Sequence, residues 1–184
     1  MKKTYFSLRR RAIVTPLWLA TLALLAVVGF STWVWNTARS RIVVVVPSAA
    51  AQTGGSAPLD SAGLLRAARL ALLFGDGAKR TGIDAIFVED SPRSRATAAP
   101  LAERLGLAIR VVGAGDPAAL ARRALRSPGG ERVLIVADGA SLPAVVAAVA
   151  GRRPPSRDEG GDRGVFYVIG VPRIGRTNVL RLRY

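Results

Sequence analysis

Residues 42–50 read Ile-Val-Val-Val-Val-Pro-Ser-Ala-Ala, and residues 133–143 read Val-Leu-Ile-Val-Ala-Asp-Gly-Ala-Ser-Leu-Pro. Each is an unbroken apolar run, rich in β-branched residues, that stops at small or polar residues. A run without polar alternation is the pattern of a strand covered on both faces, as in the parallel sheet of an α/β domain. Working outward, Ile83–Val88 and Ala108–Val112 read as further strands, and Val165–Val171 and Asn178–Leu182 as two closing strands joined by a short Pro/Gly turn. Helical stretches alternate with them. Pro58-Leu59-Asp60-Ser61 opens one with Leu65, Ala68 and Leu72 at helical spacing, and Asp60 or Ser61 can cap it. Arg93–Leu105 ends before Gly106; Asp116-Pro117 starts a helix to Arg126; Ser141–Ala150 follows, with Ser141 as its possible cap. Residues 151–164 form a polar loop. Strand–helix alternation predicts a three-layer α/β/α sandwich with a mostly parallel sheet.

The segment before this domain is different in kind. From Ala12 to Trp35 no charged residue occurs, and as a helix this run would reach about 36 Å, enough for the hydrocarbon core of a bilayer. Trp18 near one end and Trp33 and Trp35 at the other suit the headgroup boundaries. A cleavable signal peptide has a shorter apolar region, although Thr37-Ala38 leaves cleavage open. Lys2, Lys3, Arg9, Arg10 and Arg11 precede the run, and Arg39 and Arg41 follow it. That bias predicts a basic cytoplasmic tail over 1–11, a transmembrane signal-anchor helix over 12–35 and a linker over 36–41. The domain over 42–184 would then lie outside the inner (cytoplasmic) membrane, on the periplasmic side in a bacterium. Lipid around residues 12–35 is the one partner this reading names.

The 184 residues carry 27 Lys+Arg and 12 Asp+Glu, a formal net charge of +15. Seven basic residues lie at or before Arg41 and all the acids beyond it, so the remainder keeps an excess of +8. Only 6% of residues are aromatic, and no aromatic platform is interleaved with the basic residues, which argues against nucleic acid as a partner. Arg122, Arg123 and Arg126 read as a solvated helix face. There is no Cys and no His. Disulfides, thiolate or imidazole metal ligation, Cys nucleophiles and imidazole acid–base chemistry are therefore excluded, and no cofactor motif is present.

In parallel sheets, chemistry collects at the carboxyl ends of the strands. Four segments there, in order, resemble the histidine phosphatase superfamily, the phosphoglycerate mutase-like proteins, especially the short bacterial members. The family's strand ending in Arg-His-Gly/Ala-Glu is matched by Val43–Val46 followed by Pro47-Ser48-Ala49-Ala50. Its Pro-Leu-x-x-x-Gly-x-x-x-Ala helix start is similar to Pro58-Leu59 through Gly63 to Ala67. Its Ser-x-Leu-x-Arg-x-x-Gln-Thr-Ala segment resembles Glu89 through Arg93 to Thr97-Ala98. Its strand ending in Gly-His-Ser/Asn before a Val-Pro helix start resembles Ile135–Pro143, and Val179–Tyr184 resembles the last strand.

The resemblance implies that a histidine attacks phosphorus while arginines and a second histidine hold the phosphoryl oxygens. Here the nucleophile position is Ser48, its arginine is Pro47, and the second histidine is Asp138. Of the matched charged groups only Arg93 remains, and it reads either as an anion-binding residue or as a structural partner of Asp138. The expectation is a catalytically inactive, membrane-anchored domain that binds or scaffolds an unknown protein or phosphorylated ligand. Two alternatives stay open. One is a hydrolase with Ser48 or Asp138 as a replaced nucleophile. The other is a divalent-cation module built from Asp138 with Glu89 or Asp90.

Overall fold

The computed structural model describes residues 17–37, 40–49, 59–75, 82–128, 130–152, 165–172 and 175–183. The chain divides into two compact units, residues 1–38 and 39–184.

In the first unit, α1 spans Leu17–Thr37, and its large side chains between Trp18 and Val34 are exposed. No helix among the described residues is long and apolar enough to cross a membrane, and the expected span over 12–35 is only partly covered by them. Residues 12–16, and the expected tail over 1–11, lie outside the described residues. The expected linker is shorter than 36–41, because the helix takes in Asn36 and Thr37 and the next strand starts at Arg41.

The second unit contains β1 (Arg41–Pro47), α2 (Ser61–Phe74), β2 (Ala85–Glu89), α3 (Pro92–Leu105), β3 (Ile109–Val112) and α4 (Pro117–Leu125). It continues with β4 (Arg132–Ala137), α5 (Leu142–Ala150), β5 (Val165–Val171) and β6 (Asn178–Arg183). Local chemistry sets the helix ends. Asp60, Ser91 and Asp116 occupy N-cap positions and accept the N–H of Gly63, Ser94 and Ala119. Gly106 ends α3 in the left-handed region at φ 64°, where a side chain would be strained. Ser141 also precedes a helix, yet its hydroxyl makes no cap bond.

The six strands lie in the order β3-β2-β4-β1-β5-β6. Pairings among β1, β2, β3 and β4 are parallel, whereas β5 is antiparallel to both β1 and β6. The sheet is therefore mixed rather than mostly parallel. A short turn can only join antiparallel neighbours, so once β5 runs against β1, β6 must run with it. Pleat alternation splits the core in two: Val44, Val46, Ile86 and Val88 pack with Leu70 and Leu101 of α2 and α3. Val43, Val45, Phe87 and Ile135 pack with Leu120 of α4 and Val145 of α5 on the other face. Neighbouring strands β1 and β4 thus lead to helices on opposite faces, α2 and α5. Their carboxyl ends mark a topological switch point, the place where α/β sheets commonly hold ligands.

Candidate functional site

Register builds the site. Pro47 is level with Ala137 in the parallel β1–β4 pair, and the Ser48 N–H donates to the Ala137 carbonyl at 2.7 Å. The next residues, Ser48 and Asp138, therefore leave their strands side by side. The Ser48 hydroxyl donates to Asp138 Oδ1 at 2.7 Å. On the other side of β4, β2 ends at Glu89, which is 7% exposed. Its Oε2 accepts the Asp138 N–H at 2.8 Å and the Ser141 hydroxyl at 2.5 Å, and Gly115 N–H lies 3.4 Å from Oε1. The Glu89 carboxylate takes the hydroxyl that would otherwise cap α5. It also sets negative charge at a helix N-terminus whose own first turn holds no acid.

The fourth group comes from α3. Pro92 at the first helical position and the Ser91 cap fix the turn that carries Arg93. Arg93 Nη2 stands 3.8 Å from Asp138 Oδ1, an ion pair beyond hydrogen-bond distance, and Arg93 Nε is buried without a hydrogen-bond partner. One turn on, the Thr97 hydroxyl accepts the Ala49 N–H at 3.0 Å and donates to the Arg93 carbonyl at 2.8 Å. It ties α3 to the segment leaving β1.

The structure thus brings Ser48, Arg93 and Asp138 together, with Pro47 immediately below Ser48 as the last residue of β1. Asp90 is not part of the group: its carboxylate pairs with Arg95 at 2.6 Å on the surface. Glu89 reaches Asp138 through the backbone N–H rather than carboxylate to carboxylate. Among the described residues no cluster of three or more metal-ligating side chains exists. The sequence gives no role to Thr97 and marks Ser141 only as a possible helix cap, a bond its hydroxyl does not make. Thr97 sits inside a quoted motif, which was the available signal; nothing local marks Ser141 as the partner of Glu89.

Chemically, the cluster presents one hydroxyl, two carboxylates and one guanidinium. A phosphoryl pocket needs fixed positive charge and N–H donors around the equatorial oxygens. Here the carboxylate of Asp138 accepts the hydroxyl's hydrogen bond and faces the arginine's charge.

The domain has the fold of the phosphoglycerate mutase-like histidine phosphatase superfamily. The alpha-ribazole phosphatase from Shigella flexneri superposes with a TM-score of 0.57 at 13% identity, covering 78% of this chain and 96% of that one. A candidate phosphohistidine phosphatase SixA from Agrobacterium tumefaciens gives 0.53 at 18% identity, covering 78% and 98%. The phosphoglycerate mutase from Plasmodium falciparum gives 0.53 at 12%, covering 78% and 90%. No protein-family model and no curated protein matches the sequence. At these identities the likeness is one of fold, and activity has to be argued from the site.

Proposed function

We propose that this chain is a membrane-tethered domain of histidine-phosphatase fold that binds or scaffolds a partner without transferring phosphoryl groups. The observation that carries the reading is the 2.7 Å hydrogen bond from the Ser48 hydroxyl to Asp138. The groups at the nucleophile and second-histidine positions satisfy each other, and Arg93 leans on the same carboxylate oxygen. Serine attacks only when a base takes its proton, and an ordinary carboxylate is a weak base for a hydroxyl. Proline at position 47 supplies no cation to hold a transferring phosphoryl group.

The full chain in neutral detergent is expected to turn over p-nitrophenyl phosphate no faster than its Ser48→Ala variant. Wild-type turnover that disappears in Ser48→Ala or Asp138→Ala would overturn the reading. The same 2.7 Å contact would then be a nucleophile and its base. Replacing Pro47→Arg, Ser48→His and Asp138→His together is expected to restore slow hydrolysis, since Arg93 is already placed. Each replacement alone leaves the background unchanged, because such groups act as a unit.

The tether is residues 12–35, with the domain outside the cytoplasm. It is supported by the charge-free run, which begins before the described residues, and by the basic residues ahead of it. A reporter fused after Tyr184 that is active only in the cytoplasm would reverse that placement.

A further inference from the structure

A second polar feature lies along the free edge of the sheet and shares no residue with the Ser48 site. Between edge strand β3 and α4 runs a cavity of about 610 Å³, lined by Phe87, Val112, Arg110, Arg122, Arg123 and Arg126 among others. No acidic residue lines it. Its volume falls within the roughly 300–1,000 Å³ of small-molecule sites.

The four guanidiniums are not equally committed. Arg110 lies 5.4 Å over the Phe87 ring and donates to the Ser127 hydroxyl at 2.8 Å, so its plane is pinned. Arg122 has a carboxylate, Asp116, only at 3.8 Å and in an exposed pair worth little. The side chains of Arg123 and Arg126 have no hydrogen-bond or ion-pair partner among the described residues. A fifth arginine arrives from behind: Arg41 donates to the carbonyls of Ala124 and Ser127 at 3.4 and 3.1 Å.

The plain explanation is that cations collect at a helix C-terminus, attracted by its exposed carbonyls. It is incomplete here. Arg41 already serves those carbonyls, and Arg110 is on a strand and points into the groove beside Phe87. Four like charges around one cavity repel, and an anion seated among them relieves that repulsion. Guanidinium forks match phosphate oxygens two at a time, which a single carboxylate or halide cannot exploit as fully.

We infer that the β3–α4 groove binds a phosphate group, carried either by a small soluble phosphomonoester or by the headgroup of an anionic phospholipid. Arg123 and Arg126 supply the uncommitted donors. Arg110, held flat against Phe87, supplies a preorganised one.

Two arms separate the sources, both with the full chain. In neutral detergent, glycerol 3-phosphate is titrated calorimetrically. In phosphatidylcholine vesicles with or without phosphatidic acid, amide hydrogen exchange is followed over residues 120–128. The comparison variants are Arg123→Gln/Arg126→Gln and the charge reversal Arg123→Glu/Arg126→Glu, both at exposed positions. A soluble ligand predicts measurable binding that weakens at least tenfold in the Gln variant, about the worth of one charge-assisted hydrogen bond. A headgroup predicts protection that needs phosphatidic acid, fades at high salt and is lost in both variants. The basic residues ahead of α1 are unchanged in the variants, so their own attraction to anionic lipid cancels. No binding in either arm overturns the inference. So does binding that survives both variants or depends instead on Arg93→Ala.

Discussion

Glu89 gives the sharpest test of how the candidate site is held. It is buried at the end of β2, and its Oε2 accepts from the Asp138 N–H and the Ser141 hydroxyl. Replacing Glu89→Ala removes the acceptor for both. The Ser141 hydroxyl has a fallback, the Asp138 carbonyl at 3.0 Å, but the Asp138 N–H has none. A stranded buried donor costs about 1–3 kcal/mol, and losing negative charge at the start of α5 adds about 0.3–1 kcal/mol. The expected total is about 1.3–4 kcal/mol. For a folded unit of about 150 residues each kcal/mol moves the melting temperature about 3 °C, so Tm should fall about 4–12 °C. Glu89→Gln can set its amide oxygen where Oε2 stands and keep both bonds. The charge at the start of α5 is lost as in Ala and a weak donor–donor contact with the Gly115 N–H is introduced, so the loss should be about 1 kcal/mol. Thermal unfolding of the full chain by circular dichroism at 222 nm measures both variants. The reasoning fails if Glu89→Ala melts within about 2 °C of wild type, or if Gln is as damaging as Ala.

Asp84 makes a pH-dependent clamp. It accepts the N–H groups of Glu131 and Arg132 at 3.0 and 2.8 Å and pairs with the Arg132 guanidinium at 3.0 Å, pinning the starts of β2 and β4. Burial raises its carboxyl, but the hydrogen bonds and charge of Arg132 outweigh this and hold it below the usual carboxylate value. A folded-state value below the unfolded one means stabilisation that is complete above about pH 4 and lost as pH falls through the folded value. Asp84→Asn should therefore cost about 1 kcal/mol at pH 7, with the gap to wild type closing below pH 4 in denaturant titrations; a gap constant from pH 7 to 3 would contradict it. Gly106→Ala meets no atom within 4 Å, so its cost is backbone conformation alone. About 1 kcal/mol is expected, or 3 °C in Tm, with Gly106→Asn milder; an unchanged melting point would mean the α3 terminus relaxes freely.

The elements were legible because their signals are local. Asp60, Asp116 and Gly106 mark helix ends through chemistry within four residues, and the apolar runs of β1 and β4 announce burial on both faces. Strand direction is a different kind of fact. Nothing in Val165–Val171 distinguishes a parallel from an antiparallel strand, because direction depends on the path of the preceding chain and on which neighbour it meets. Strand order was equally hidden. β1 lies beside β4 rather than β2, and no residue of β1 records it. For the site, the family resemblance carried what local patterns could not, namely that positions 48, 93 and 138 belong together.

Charge is distributed unevenly over the domain. The Ser48 cluster holds Glu89 and Asp138 against Arg93, one formal negative charge in excess, where transferring a phosphoryl group demands the reverse sign. An imidazole at position 138 would leave Arg93 seeking an anion from outside. A carboxylate there supplies that anion from within the chain, and Glu89 behind it opposes a second. The β3–α4 groove has the opposite balance, four arginines and no acid in its lining. Binding a phosphate requires positive potential more than it requires a particular fold position. On that criterion the sheet edge is better placed to hold a phosphate than the strand ends are.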